Sequence, residues 1–122
     1  MEFKINQITP LLLVRDLDGS IAFYTQQLGF ALAFRYEDFY AGIENDGHSI
    51  HLKTTYKPEQ GEARPKNKEE IDLLFAVDNI TSLFETISKK GVQIVQPLRE
   101  MPYGNEFYIA DPDGHVIAFV DR

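Results

Sequence analysis

In Ile71-Asp72-Leu73-Leu74-Phe75-Ala76-Val77 every odd position is large and apolar. That is the period of a strand with one buried face, so Ile71, Leu73, Phe75 and Val77 should pack against a helix. Asp72, Leu74 and Ala76 then face the other way. The segment from Gln7 to Val14 repeats the pattern: Pro10, Leu12 and Val14 on one face, Thr9, Leu11 and Leu13 on the other. After it, Asp16 is placed to cap a helix running to about Leu28, with Ile21, Tyr24 and Leu28 on a buried stripe and Gly29 as its stop. Strands follow at Ala31 to Tyr36, Phe39 to Glu44 and Ser49 to Thr54, with Asn45-Asp46-Gly47 as the last turn. After Val77, Asp78 or Asn79 caps a second helix through Ile80, Leu83, Phe84 and Ile87, with Lys89 and Lys90 at its negative end and Gly91 as its stop. Strands at Val92 to Gln96, Glu106 to Ala110 and His115 to Asp121 complete the chain.

The two halves are copies. Ile8 to Leu17 aligns with Ile71 to Ile80 at an offset of 63, and Asp46-Gly47-His48-Ser49-Ile50-His51 aligns with Asp113-Gly114-His115-Val116-Ile117-Ala118 at an offset of 67. Each half reads βαβββ: module 1 about 5–54, module 2 about 71–121, with a polar linker at 55–70 carrying Pro58, Gly61 and Pro65. A half of this size buries too little alone, so the expectation is one domain built of both. The class is α+β, and the modules form curved mixed sheets. Ile50, Leu52, Ile117 and Phe119 face the helices, which leaves His51 and Ala118 on the opposite face with Thr9 and Asp72. These four positions are equivalent under the repeat.

Composition narrows the partners. The 122 residues carry 19 Asp and Glu against 12 Lys and Arg, a net charge of -7, which excludes a general nucleic-acid binder. The same charge suits a cationic ligand, or serves solubility alone. The absence of Cys excludes disulfides and thiolate chemistry, and fits a reducing, cytoplasmic setting. Met1-Glu2-Phe3-Lys4 leads into no apolar run, so no signal peptide is expected, and Leu11 to Val14 is too short to span a membrane. There is no Gly-rich phosphate loop and no GxSxG nucleophile elbow.

Several residues are candidates for chemistry. His51 is either a ligand-contacting or proton-transferring imidazole or a hydrogen-bonded strand histidine. Asp72 in an apolar strand needs a partner or solvent: a ligand's cationic group, or a linker lysine such as Lys66 or Lys68. Together they make a possible acid/base pair. Glu106 opens a strand, as a polar contact or a salt bridge. His48 and His115, each after Asp-Gly, suit turn roles. Phe34, Tyr36, Phe39 and Tyr40 span one hairpin, Tyr103 precedes Gly104, and Tyr56 opens the linker. Rings so clustered stack on planar or cationic ligands, or pack an interface. The linker charges, Arg64 among them, read as a solvated loop from which Arg64 can reach an anionic ligand.

Val14-Arg15-Asp16-Leu17, Phe23-Tyr24, Leu28-Gly29-Phe30, Val77-Asp78-Asn79-Ile80, Gly91-Val92-Gln93-Ile94 and Asp111-Pro112-Asp113-Gly114-His115 resemble the vicinal oxygen chelate superfamily, which holds the glyoxalase I, bleomycin-resistance and extradiol-dioxygenase families. Tyr103-Gly104-Asn105-Glu106-Phe107 resembles the bleomycin-resistance branch. The resemblance implies paired βαβββ modules in a homodimer with two clefts. It also implies that metal-dependent members hold a divalent ion with four side chains, at the positions filled here by Thr9, His51, Asp72 and Ala118. Ala118 offers no donor and Thr9 a poor one, so the expectation is no catalytic metal, unless Glu106 or His48 supplies a donor. The function implied is metal-independent binding or sequestration of a small aromatic or cationic molecule, as in antibiotic resistance. Phe34, Tyr36, Phe39, Tyr56 and Tyr103 would stack, and His51, Asp72 and Glu106 would make polar contacts. The alternative is a lyase, isomerase or dioxygenase with a rearranged divalent-metal site or none, in which His51, Asp72 or Glu106 is catalytic.

Overall fold

A computed structural model describes residues 1–54 and 70–121, and linker residues 55–69, Tyr56 and Arg64 among them, lie outside them. The chain divides into two compact units, Met1–Gly61 and Glu62–Arg122. The first contains β1 (Leu11–Val14), α1 (Leu17–Ala22), β2 (Ala31–Tyr36), β3 (Tyr40–Asn45) and β4 (His48–Thr54). The second contains β5 (Leu73–Val77), α2 (Ile80–Ser88), β6 (Gln93–Met101), β7 (Gly104–Ala110) and β8 (Val116–Asp121). Each unit is βαβββ, with four-stranded mixed sheets in the orders β1-β4-β3-β2 and β5-β8-β7-β6.

The repeat reappears as register. Leu11 lies opposite His51 in the parallel β1–β4 pair, and Leu74 opposite Ala118 in the parallel β5–β8 pair. The offsets of 63 and 67 carry the first pair onto the second. The alternation holds as well. Leu12 and Val14 are buried while Leu11 and Leu13 are exposed. In the second unit Phe84 of α2 meets Phe107 edge-on at 5.1 Å, and Phe107 stacks on Phe119 at 4.7 Å. Phe75 meets Phe119 edge-on at 5.3 Å, so this helix-facing core is built of rings.

Several boundaries differ from the sequence reading, each for a physical reason. β1 begins at Leu11, not Gln7, and Pro10 contributes only its carbonyl, which accepts from the His51 amide at 2.9 Å. β5 begins at Leu73, and Ile71 is exposed instead of packed on the helix. The first helix is not continuous to Leu28. After Ala22 it widens into a π-helical turn, Phe23–Gln27, where the Leu28 amide reaches the Phe23 carbonyl. The Thr25 hydroxyl donates to the Ile21 carbonyl at 2.7 Å in this stretch, and Tyr24 is fully buried. Asp16 and Asn79 hold the N-cap places without side-chain cap bonds. Asp16 lies over Gly19, where a Cβ would collide with its carboxylate, and Asn79 has a left-handed backbone at φ 54°. β6 runs to Met101, well past Gln96, through two register shifts that accommodate Pro97. Pro97, Arg99 and Glu100 hid this strand behind a loop-like composition.

Candidate functional site

Register assigns faces, because paired residues in a ladder point the same way. Across the first sheet, away from the helix, run two rows. Leu11, His51, Gly42 and Phe34 make one, and Leu13, Lys53, Tyr40 and Tyr36 the other. The rows carry a contiguous aromatic array. Phe34 stacks on Tyr40 at 6.1 Å, tilts against Tyr36 at 5.4 Å and meets the His51 ring edge-on at 5.1 Å. Gly42 makes this possible: a Cβ there would stand inside the Phe34 ring. The Tyr40 hydroxyl and His51 Nδ1 are 2.8 Å apart, a hydrogen bond inside the array. Tyr36 is 60% exposed and Leu11 and Leu13 are half-exposed, so the face, apolar apart from Lys53, is open rather than packed.

The equivalent rows of the second sheet carry Leu74, Ala118, Tyr108 and Gln96, then Ala76, Val120, Glu106 and Arg99. Here the chemistry is ionic. Glu106 is 3% exposed and is fully engaged. Its Oε2 accepts from Arg99 Nε at 2.8 Å and from the Tyr108 hydroxyl at 3.0 Å, with Arg99 Nη2 at 2.6 Å. Its Oε1 accepts from the Tyr103 hydroxyl at 2.5 Å. Burial alone would raise the Glu106 pKa, but hydrogen bonds from Tyr103, Arg99 and Tyr108 outweigh it and hold the group below its ordinary value. The same bond, with some burial, pushes the Tyr103 phenol up to about 12. Tyr103 therefore presents a ring, 54% exposed, whose hydroxyl is anchored.

A third cluster sits in the β7–β8 turn. Asp111 Oδ1 accepts the Asp113 and His115 amides, both at 2.9 Å, and its Oδ2 lies 2.7 Å from His115 Nδ1. Burial would lower the His115 pKa, but the Asp111 bond and the charges of Asp111, Asp72 and Asp113 raise it. Asp111, Asp113 and His115 offer one ligand atom each within 4.8 Å of one another.

The sequence matches the Glyoxalase family, described as the Glyoxalase/Bleomycin resistance protein/Dioxygenase superfamily, over residues 4–119. The chain belongs to this superfamily. No curated protein sequence matches it. Among solved structures, an antibiotic binding protein from Streptomyces sp. CB03234 is 19% identical at a TM-score of 0.75, covering 98% of each chain. The bleomycin-binding protein from bleomycin-producing Streptomyces verticillus, complexed with copper(II)-bleomycin, is 21% identical at a TM-score of 0.71, covering 99% of each chain. A lactoylglutathione lyase from Agrobacterium tumefaciens is 16% identical at a TM-score of 0.72, covering 96% of this chain and 94% of its own. At these identities the likeness shows the shared fold.

Of the four positions at which the resemblance implies a metal, one offers no donor and the others already make hydrogen bonds. Ala118 is 1% exposed and packed with Tyr108, Val116 and Val95. Asp72, expected to need a ligand's cationic group, solvent or a linker lysine that lies outside the described residues, accepts the Val116 amide at 2.9 Å. The Thr9 hydroxyl accepts from Gln7 Nε2 at 2.7 Å. His51 retains ligand chemistry but is bonded to Tyr40.

Of the expected stacking residues, the structure brings Phe34 and Tyr36 together around His51. Phe39 lies in the turn between β2 and β3, 41% exposed, and Tyr103 with Glu106 is in the other unit. Arg99 and Tyr108 were not singled out as site residues, and Tyr40, named with the hairpin cluster, was not expected to bond His51. Tyr40 was legible. Asp46 and Gly47 both have left-handed backbone, so the turn holds two residues and Asn45 pairs with His48. Counting back puts Gly42 opposite His51 and Tyr40 on the same face.

Proposed function

We propose that this protein binds and sequesters a small planar aromatic or cationic molecule, without a metal, in the clefts of a homodimer. The observation that carries this reading is the array of Phe34, Tyr36 and Tyr40 about His51 on an open sheet face. Edge-to-face and offset ring contacts of this kind select flat partners. Tyr103, with its hydroxyl anchored to Glu106, adds a second exposed ring. Exposed Leu11, Leu13 and Leu74 lie on the same faces and favour a further covering surface, which a second copy supplies. Metal independence is supported by the donorless Ala118 and by the bonds already made by Asp72 and Thr9. Antibiotic binding by one structural relative and bleomycin binding by another agree with the reading, and the lyase among them marks the alternative.

Of the two ligand chemistries, rings have the stronger support, because Glu106 is already neutralised by Arg99. Titration with proflavine, planar and cationic, and with fluorenone, planar and uncharged, separates them. Both should bind, and Tyr36→Ala should weaken both. Binding of neither probe contradicts the proposal, and binding of proflavine alone would assign recognition to charge.

A further inference from the structure

The Tyr40–His51 pair has a direction. A phenol donates strongly and accepts weakly, because its oxygen lone pair is delocalised into the ring. The in-plane lone pair of an imidazole nitrogen is the better acceptor. With Tyr40 Oη and His51 Nδ1 at 2.8 Å, the hydroxyl proton occupies that bond, and the ring's own proton must then reside on Nε2. The ring is fixed in place from two sides, edge-on to Phe34 at 5.1 Å and to Tyr40 at 5.4 Å. His51 is only partly buried, and no partner of Nε2 is found among the described residues. The result is an oriented N–H donor set directly against the Phe34 and Tyr40 rings, on a face whose neighbouring row also carries Lys53.

We propose that Tyr40 fixes His51 as an Nε2–H donor, so that the site selects planar aromatic ligands carrying an in-plane hydrogen-bond acceptor, such as an aryl ketone. This rests on the aromatic-binding reading above and adds the polar specificity to it. Tyr40 is the positioning residue and His51 the one that touches the ligand. A ligand without an acceptor would leave the N–H desolvated and unpaired, which is the source of the discrimination.

Two measurements test it. In the first, long-range nitrogen–proton NMR of the ligand-free protein reads the His51 tautomer. Nδ1 is expected unprotonated and Nε2 protonated. Protonation at Nδ1 would overturn the proposal whatever the protein binds. In the second, fluorenone is compared with fluorene, the same rings without the carbonyl. Wild type should prefer fluorenone by about tenfold, the worth of one such bond. His51→Phe, which keeps a ring but removes the donor, should bring the ratio close to one, and Tyr40→Phe should reduce it. Equal binding of both compounds to wild type overturns the donor assignment and leaves aromatic binding standing. Binding of neither overturns aromatic binding and this proposal with it.

Discussion

The Tyr103 hydroxyl donates to Glu106 Oε1 at 2.5 Å. A ring more than half in water is thereby held at its polar end by a buried acid. Arg99 and Tyr108 hold the other oxygen, so Glu106 acts as a clamp within the β6–β7 hairpin and not as a free acid. Glu106→Gln should cost about 2 kcal/mol, less than the full cost of breaking a buried pair because Arg99 keeps about a third of its side chain in water. It should also return the Tyr103 phenol from about 12 towards 10, read as a difference in phenolate absorbance during alkaline titration. Unchanged titration and unchanged stability would show that the clamp does not operate.

His115 makes the fold sensitive to pH. Its folded pKa is raised above the ordinary 6.5, because the Asp111 bond and nearby carboxylates outweigh burial. A raised pKa contributes stability that is complete below the unfolded value and is lost as pH rises through the folded one. The melting temperature of wild type should therefore fall as pH rises from about 6.5, and His115→Asn should flatten that slope. Parallel slopes in the two proteins would remove His115 as the cause.

Gly42 is a spacer for the aromatic array. Its substitution by alanine drives a Cβ into the Phe34 ring, which must leave its place against His51. The expected cost is about 1–3 kcal/mol of overpacking strain. Fluorenone affinity should fall with it. A Gly42→Ala protein that binds as wild type does would show that the Phe34 position is irrelevant to recognition.

Ala118→Glu places a carboxylate donor at one of the four positions where the resemblance implies a metal ligand. The new carboxylate must enter an apolar cluster with Tyr108, Val116 and Val95. Destabilisation of about 2 kcal/mol or more is expected, with no stoichiometric metal by elemental analysis. Uptake of one divalent ion per chain would show instead that a metal cup survives.

The sequence made most of the fold legible, because strand alternation and the internal repeat are local signals that tertiary packing preserves. That the Leu11–His51 pair corresponds to the Leu74–Ala118 pair follows from the two alignments, while the pairing itself is seen in the sheet registers. The π-helical turn at Phe23 was not legible, since the spacing of Ile21, Tyr24 and Leu28 fits an ordinary helix equally well. Nor was the length of β6, where bulges absorb Pro97. Among candidate site residues, His51 could be placed on a face, but its partner Tyr40 required counting through the Asp46-Gly47 turn. The saturation of Glu106 depends on Arg99 arriving from a strand whose register shifts twice, and no periodicity encodes that.

Metal-independent recognition of a flat molecule is tested most directly by calorimetric titration of fluorenone into protein stripped with a chelator, repeated after adding Zn, Ni, Mn or Fe. The affinity should be the same in every case, with no metal bound stoichiometrically. Binding that vanishes on stripping and returns with one metal, together with metal content lost in His51→Ala, would contradict the binding-protein reading and turn attention to lyase and dioxygenase chemistry.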